Sequence, residues 1–202
     1  MDKPTIDFYN KNAEAQSALY EKANMSDMYR RLVSLVPPYS RILEIGCGSG
    51  RDARALVRMG FSVMATDASL GMICEAERRS KGCSGQLQFS CMAFPLYDNH
   101  PLFAERFDLV LAVAVLMHFS EQDIEKTLSQ VAQLLNPGGI FFCTFKNQPS
   151  LDSRLYQTID VSRLIADCAK NGLINFLQES NDDLLGRATT WTTLAFKMSS
   201  KL

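Results

Sequence analysis

Hydrophobic positions change their period once along this chain. Across the first 36 residues, Ala13, Ala15, Ala18, Leu19, Ala23, Met25, Met28, Leu32, Val33 and Leu35 recur at loosely helical spacing, and Pro37-Pro38 then stops any helix. Residues 1–36 therefore read as a helical arm ahead of one globular body, residues 37–202. Such an arm serves either as a lid over a pocket or as a packing appendage, and both readings stay open. Past the prolines the pattern alternates. Apolar runs at 41–45, 61–66, 86–91, 107–115 and 140–145 read as strands. The fourth is nearly continuous in apolar residues, as expected of a strand covered on both faces. Stretches at 52–59, 69–80, from Ser120 onward and 160–171 read as helices. In the third of these, Ile124, Leu128, Val131 and Leu135 share one face, Ser120 caps with Asp123 as its capping-box partner, and Pro137-Gly138-Gly139 ends the helix. Residues 173–177 and 190–198 close the chain as strands.

Strands alternating with helices are βαβ units, and right-handed crossovers wind them into a doubly wound, mostly parallel α/β sheet. Such sheets bind ligands beyond the carboxyl ends of their strands, at the point where strand order reverses. Chemistry is therefore sought where each strand ends.

At 202 residues the chain is the size of one domain with a sizeable core. Its 21 Lys and Arg balance 22 Asp and Glu, which disfavours nucleic acid as a partner, because phosphate binding leans on a cationic excess. The longest apolar run, 109–117, is far short of the roughly 20 residues a bilayer span needs, and the amino terminus lacks an apolar signal region. A cytoplasmic location without membrane contact is expected. The six cysteines, Cys47, Cys74, Cys83, Cys91, Cys143 and Cys168, form no C-x-x-C pair and mostly sit in apolar runs. They read as buried reduced thiols, and no metal site is expected. Oligomeric state is not legible.

The sharpest local signal is the run 42–50, ILEIGCGSG, between a strand and a helix. Its glycines permit positive φ and close approach of a ligand to the backbone. Asp67 follows Gly46 by 67 − 46 = 21 residues, at the end of the second strand. That is the spacing at which an acid accepts both hydroxyls of an adenosine ribose. A dinucleotide loop would be G-x-G-x-x-G. Here the third glycine comes early, at Gly50, and Arg51 stands in the sixth position.

The stretch 43–50 with Asp67 resembles motif I and the acidic motif of class I S-adenosylmethionine-dependent methyltransferases. Residues 107–118, FDLVLAVAVLMH, resemble their fourth motif, and residues 131–145 resemble the helix, turn and strand that follow. Arg51-Asp52-Ala53 is similar to a subgroup of small soluble bacterial members. The resemblance covers about residues 38–198. It implies a seven-stranded Rossmann-like methyltransferase sheet with an antiparallel last strand, S-adenosyl-L-methionine as cofactor and S-adenosyl-L-homocysteine as product. It further implies that Gly46, Cys47, Gly48 and Gly50 surround the methionyl part and ribose, with Glu44 beneath them orienting the methionyl amino group. Asp67 would hold the ribose hydroxyls, and Ala68 and Ser69 would lie beside the adenine. Met92 and Ala93 would end the third strand at the ring, where many relatives carry an Asp. Ala112 and Val113 would border the sulfonium. His118, just past the fourth strand, is either a general base near the methyl group or a packing residue.

Methyl transfer from a sulfonium has a neutral leaving group, so orientation can supply most of the catalysis, and the fold alone does not name the acceptor. Residues 112–115, AVAV, replace the Asn/Asp-Pro-Pro-aromatic run of nucleobase and glutamine N-methylating relatives, and no Pro-Cys pair marks a cytosine C5 enzyme. A small-molecule acceptor is expected, with the arm, through Tyr9, Tyr20, Met28 and Tyr29, covering the ligand. Two other classes remain: a nicotinamide-dependent oxidoreductase, disfavoured by the early third glycine and the lack of a Tyr-x-x-x-Lys run, and a non-catalytic S-adenosylmethionine-binding partner protein.

Overall fold

In the computed structural model, which describes all residues except 84, 148–151, 185, 188 and 201–202, three helices precede a seven-stranded sheet. The helices are α1 (Lys3–Lys11), α2 (Ala13–Tyr20) and α3 (Ser26–Leu35). Asp2 starts α1 by accepting from the Thr5 amide. The body then runs β1 (Arg41–Ile45), α4 (Arg51–Arg58), β2 (Ser62–Asp67), α5 (Leu70–Arg79), β3 (Leu87–Cys91), β4 (Phe107–Val113), α6 (Glu121–Leu134), β5 (Leu135–Lys146), α7 (Val161–Lys170), β6 (Leu173–Asp182) and β7 (Thr190–Met198). Strand order is β3-β2-β1-β4-β5-β7-β6. The first five strands are parallel, and β7 lies antiparallel between β5 and β6. The chain winds outward from β1 to β3 and then restarts at β4 on the other side of β1. The loops leaving β1 and β4 therefore diverge, and a crevice opens between them.

The period of two along the central strands fills a layer on each face. Leu43, Ile45, Val110, Ala112, Phe141, Cys143 and Phe145 face the α6 side with Leu128, Val131 and Leu164. Ile42, Leu109, Leu111, Ile140 and Phe142 face the α4 side with Leu56, Val57 and Ala53. Leu32 and Val36 of the arm belong to this second layer, and Leu32 is fully buried. Burying such a side chain stabilises by about 1.5–3 kcal/mol, so α3 shares the core of the body.

Several elements differ from the sequence reading. The fourth strand ends at Val113, because the Ala114 amide donates to both the carbonyl and hydroxyl oxygens of Thr144 (2.9 and 3.1 Å) and Ala114 turns to φ 58°. A short 3₁₀ turn, Leu116–His118, follows. The helix before Pro137 stops at Leu134, and β5 begins at once: Leu135 pairs with Phe107, residues 136–139 bulge, and pairing resumes at Ile140 with Leu109. Asn136 holds the bulge by donating to Asp108 (2.8 Å). β6 extends to Asp182 because β7 pairs along its whole length. Ser120 caps α6 by accepting from the Asp123 amide, and the Asp123 carboxylate accepts from the Met1 amino group (3.2 Å). The cysteines are all free, but Cys74 and Cys91 are exposed, on the outer face of α5 and at the end of the sheet's edge strand.

Candidate active site

The crevice holds a cavity of about 460 Å³, within the range of small-molecule sites. One half is built on the β1 loop. The amides of Gly46 and Cys47 both donate to the Thr66 carbonyl (2.8 Å each), folding the loop back over β2. Gly46 adopts φ 74°, and a Cβ there would meet Val115 Cγ2 at 2.6 Å, so the position accepts glycine alone. Beneath the loop, Glu44 is buried and its Oε2 has no hydrogen-bond partner among the described residues. Burial, with Asp52 close by, pushes its carboxyl well above the usual range. A buried acceptor oxygen left without a partner is costly, and a ligand ammonium would relieve it.

Asp67 ends β2 at the same wall. Its Oδ2 accepts from the Gly48 amide (2.9 Å) and its Oδ1 from the Ser69 amide (2.8 Å). Burial raises its pKa to about 6, against those two amides. An ionised carboxylate has about four acceptor sites, so two remain for a pair of hydroxyls. Arg51, the residue that could have met a diphosphate, donates instead to both Asp52 oxygens (2.7 and 3.0 Å) and to the Tyr20 carbonyl (2.8 Å). Cys47 is held protonated by burial and offers no nucleophile.

The other half is assembled from distant parts of the chain. His118 is 2% exposed. Its Nδ1 lies 2.8 Å from the Leu155 carbonyl and its Nε2 2.9 Å from the Tyr9 hydroxyl. A carbonyl only accepts, so Nδ1 carries the proton and Nε2 accepts from Tyr9. Arg154 also donates to the Tyr9 oxygen (3.0 Å). Burial lowers the His118 pKa to about 4, leaving a neutral imidazole at pH 7. Lys146, Arg154, Tyr156, Arg187 and Trp191 complete this end.

The arm crosses both halves. Asn10 accepts from the Ser69 hydroxyl (2.8 Å) and the Gly71 amide (2.9 Å). Glu21 accepts from the Ser49 hydroxyl (2.8 Å) and pairs with Arg54 (2.5 Å). Tyr9, Tyr20 and Met28 line the cavity, whereas Tyr29 turns away and donates to Asp52 (2.5 Å).

Of the residues singled out in the sequence, Glu44, Gly46, Cys47, Gly48, Asp67, Val113 and His118 line this one cavity. Gly50, Ala68, Ser69, Met92, Ala93 and Ala112 stand outside its wall. Ala112 is fully buried, Ala93 is exposed, and the Ser69 hydroxyl is taken by Asn10. Lys146, Arg154, Tyr156 and Arg187 gave no signal in sequence, since none belongs to a local motif.

A family model described as a methyltransferase domain matches residues 42–139. The ubiquinone biosynthesis O-methyltransferase of Bradyrhizobium sp. (strain ORS 278) is 31% identical over 108 residues, 54% of this chain and 40% of that one. The protein of the same name from Chelativorans sp. (strain BNC1) is 30% identical over 132 residues, 64% of this chain and 50% of that one. The matches thus span half or less of these relatives. The crystal structure of Burkholderia thailandensis 1,6-didemethyltoxoflavin-N1-methyltransferase, with bound 1,6-didemethyltoxoflavin and S-adenosylhomocysteine, superposes with a TM-score of 0.78 at 17% identity, over 96% of this chain and 86% of that one. The N-methyltransferase NodS from Bradyrhizobium japonicum WM9, in complex with S-adenosyl-L-homocysteine, superposes at 0.64 and 17% identity, over 85% and 86%. At these identities the likeness is one of fold, the Rossmann-like methyltransferase sheet.

Proposed function

We propose that this chain, which belongs to the class I S-adenosylmethionine-dependent methyltransferase family, transfers a methyl group from S-adenosylmethionine to a small-molecule acceptor. The observation that carries the reading is the buried Glu44 side chain, whose Oε2 has no partner among the described residues, beneath a positive-φ glycine loop with Asp67 beside it. When bound, the cofactor supplies an electrophilic methyl on a sulfonium whose departing sulfur is neutral. Glu44 holds the methionyl amino group, the backbone of Gly46, Cys47 and Gly48 allows close approach, and the free acceptor sites of Asp67 take the ribose hydroxyls. Gly50 sets the turn into α4. Ala112 supports Val113, which faces the reacting end from β4. The adenine would sit toward Ala68, Ser69, Met92 and Ala93, where Asn10 of the arm closes one edge, so α1 acts as a lid.

His118 works through Tyr9. An imidazole whose pKa is held near 4 is a poor final proton acceptor at neutral pH. Its neutral Nε2 instead fixes the Tyr9 hydroxyl, making His118 a positioning residue. Such a site suits an acceptor that arrives as a ready nucleophile, which orientation alone then aligns. Free thiols support a reducing, cytoplasmic setting, and among the described residues no helix is long and apolar enough to cross a membrane.

The test is calorimetric titration with S-adenosylhomocysteine. The wild type should bind one equivalent, and Glu44→Gln should bind about tenfold or more weaker, since a charge-assisted hydrogen bond becomes a neutral one. Equal affinities would remove the role given to Glu44, and no binding by the wild type would remove the reading.

A further inference from the structure

Lys146, Arg154 and Arg187 stand together at the far end of the cavity, and the two arginines have carboxylate partners. Arg154 pairs with Asp152 (2.5 Å) and Arg187 with Asp183 (2.6 Å), while Trp191 Nε1 also donates to Asp183 (2.8 Å). Lys146 has no carboxylate within ion-pair distance among the described residues; its ammonium lies 5.0 Å from the centre of the Tyr156 ring. The residue is the last of β5. Thr144, two positions earlier, is in register with Val113, so Lys146 stands two residues beyond the reacting end on the adjacent strand. Burial, with Arg187 and Arg154 close by, lowers the pKa of its ammonium, and the more weakly felt Asp183 and Asp152 oppose this. A further negative charge at this point would thus be favoured. Tyr156, Trp191, Phe142 and Met28 line the same space with flat or pliable apolar surface.

We propose that Lys146 binds an anionic oxygen of a flat aromatic acceptor, so that the acceptor reaches the methyl-transfer site already ionised. The proposal rests on the methyltransferase reading and names its acceptor class. It fits a wall whose histidine is a poor proton acceptor, because an ionised acceptor needs no proton removed after binding, and the ammonium favours the ionised form before the methyl group is transferred.

The experiment uses the full chain saturated with S-adenosylhomocysteine. It is titrated with two anions, benzoate and 4-nitrophenolate at mildly alkaline pH, and with their neutral counterparts, benzamide and 4-nitroanisole. At least one anion should bind about tenfold tighter than its counterpart, the ratio that one charge-assisted hydrogen bond carries. Which anion does so distinguishes a carboxylate from a phenolate. Lys146→Met should abolish the preference and Lys146→Arg should keep it, with affinity for S-adenosylhomocysteine within about twofold of wild type in both. Anions that bind no better than their neutral counterparts, or a preference that survives in Lys146→Met, would overturn the proposal while the cofactor reading stands. Failure to bind S-adenosylhomocysteine would remove both.

Discussion

The two halves of the cavity are made in different ways. The cofactor half rests on backbone: strand ends, a glycine loop and amides that hold Asp67 in place. The acceptor half rests on side chains brought from widely separated segments, with Tyr9 meeting His118 across 109 residues and Arg154 across 145. A backbone-built half is fixed by the sheet and is shared wherever the sheet is. A side-chain half can change its specificity by substitution without disturbing the sheet, which is how one fold serves many acceptors. The arm spans both, with Tyr9 at one half and its neighbour Asn10 at the other, so that in the proposed reading its closure as a lid would order the two together.

The strongest way to break this contrast is Gly46→Ala. A Cβ at φ 74°, 2.6 Å from Val115 Cγ2, should cost about 3 kcal/mol or more of stability, seen in denaturant unfolding. A small loss would mean that the loop backbone is not the rigid element. The acceptor half is probed next with His118→Asn. A base whose folded pKa lies near 4, against about 6.5 unfolded, stabilises fully above the unfolded value, and that stability is lost as pH falls toward 4. The integrated effect is about 3 kcal/mol. Asparagine should therefore destabilise the protein more at pH 7 than at pH 4, by about that amount; a pH-independent penalty would show that the imidazole is not held neutral. The smallest effect returns to the cofactor half. Asp67 has its pKa raised to about 6, so in the ligand-free fold its ionised form is disfavoured and stability falls as pH rises through that value. Hydroxyl donors bind the ionised form. Affinity for S-adenosylhomocysteine should therefore weaken about tenfold from pH 7 to pH 5, and Asp67→Asn should bind more weakly with that step absent. Retention of the step in the variant would assign it elsewhere.

The same division decides what could be read from sequence. Gly46, Gly48, Glu44 and Asp67 fall in one βαβ unit, where periodicity and spacing fix which strand end each residue occupies. The parallel core followed from apolar runs alternating with helices, whereas the antiparallel last strand was implied by the family resemblance alone. The acceptor half gave no such pattern, since Lys146, Arg154, Tyr156 and Arg187 meet only through tertiary structure. His118 stood out as a histidine after β4, yet its low basicity depends on burial by Tyr9 and Tyr156. The boundaries of β5 and β6 were missed for a related reason: their length is set by pairing with β4 and β7, and the bulge at 136–139 reads locally as a plain turn.

Thermal unfolding with saturating S-adenosylmethionine, S-adenosylhomocysteine, NAD and NADP in parallel tests the central claim most directly. A ligand at 100 times its dissociation constant adds about 2.7 kcal/mol, a rise of roughly 5–10 °C for a chain of this size. The account predicts that rise with the two sulfur nucleosides and none with the dinucleotides. A rise with NAD or NADP, or no rise with either sulfur nucleoside, would contradict it.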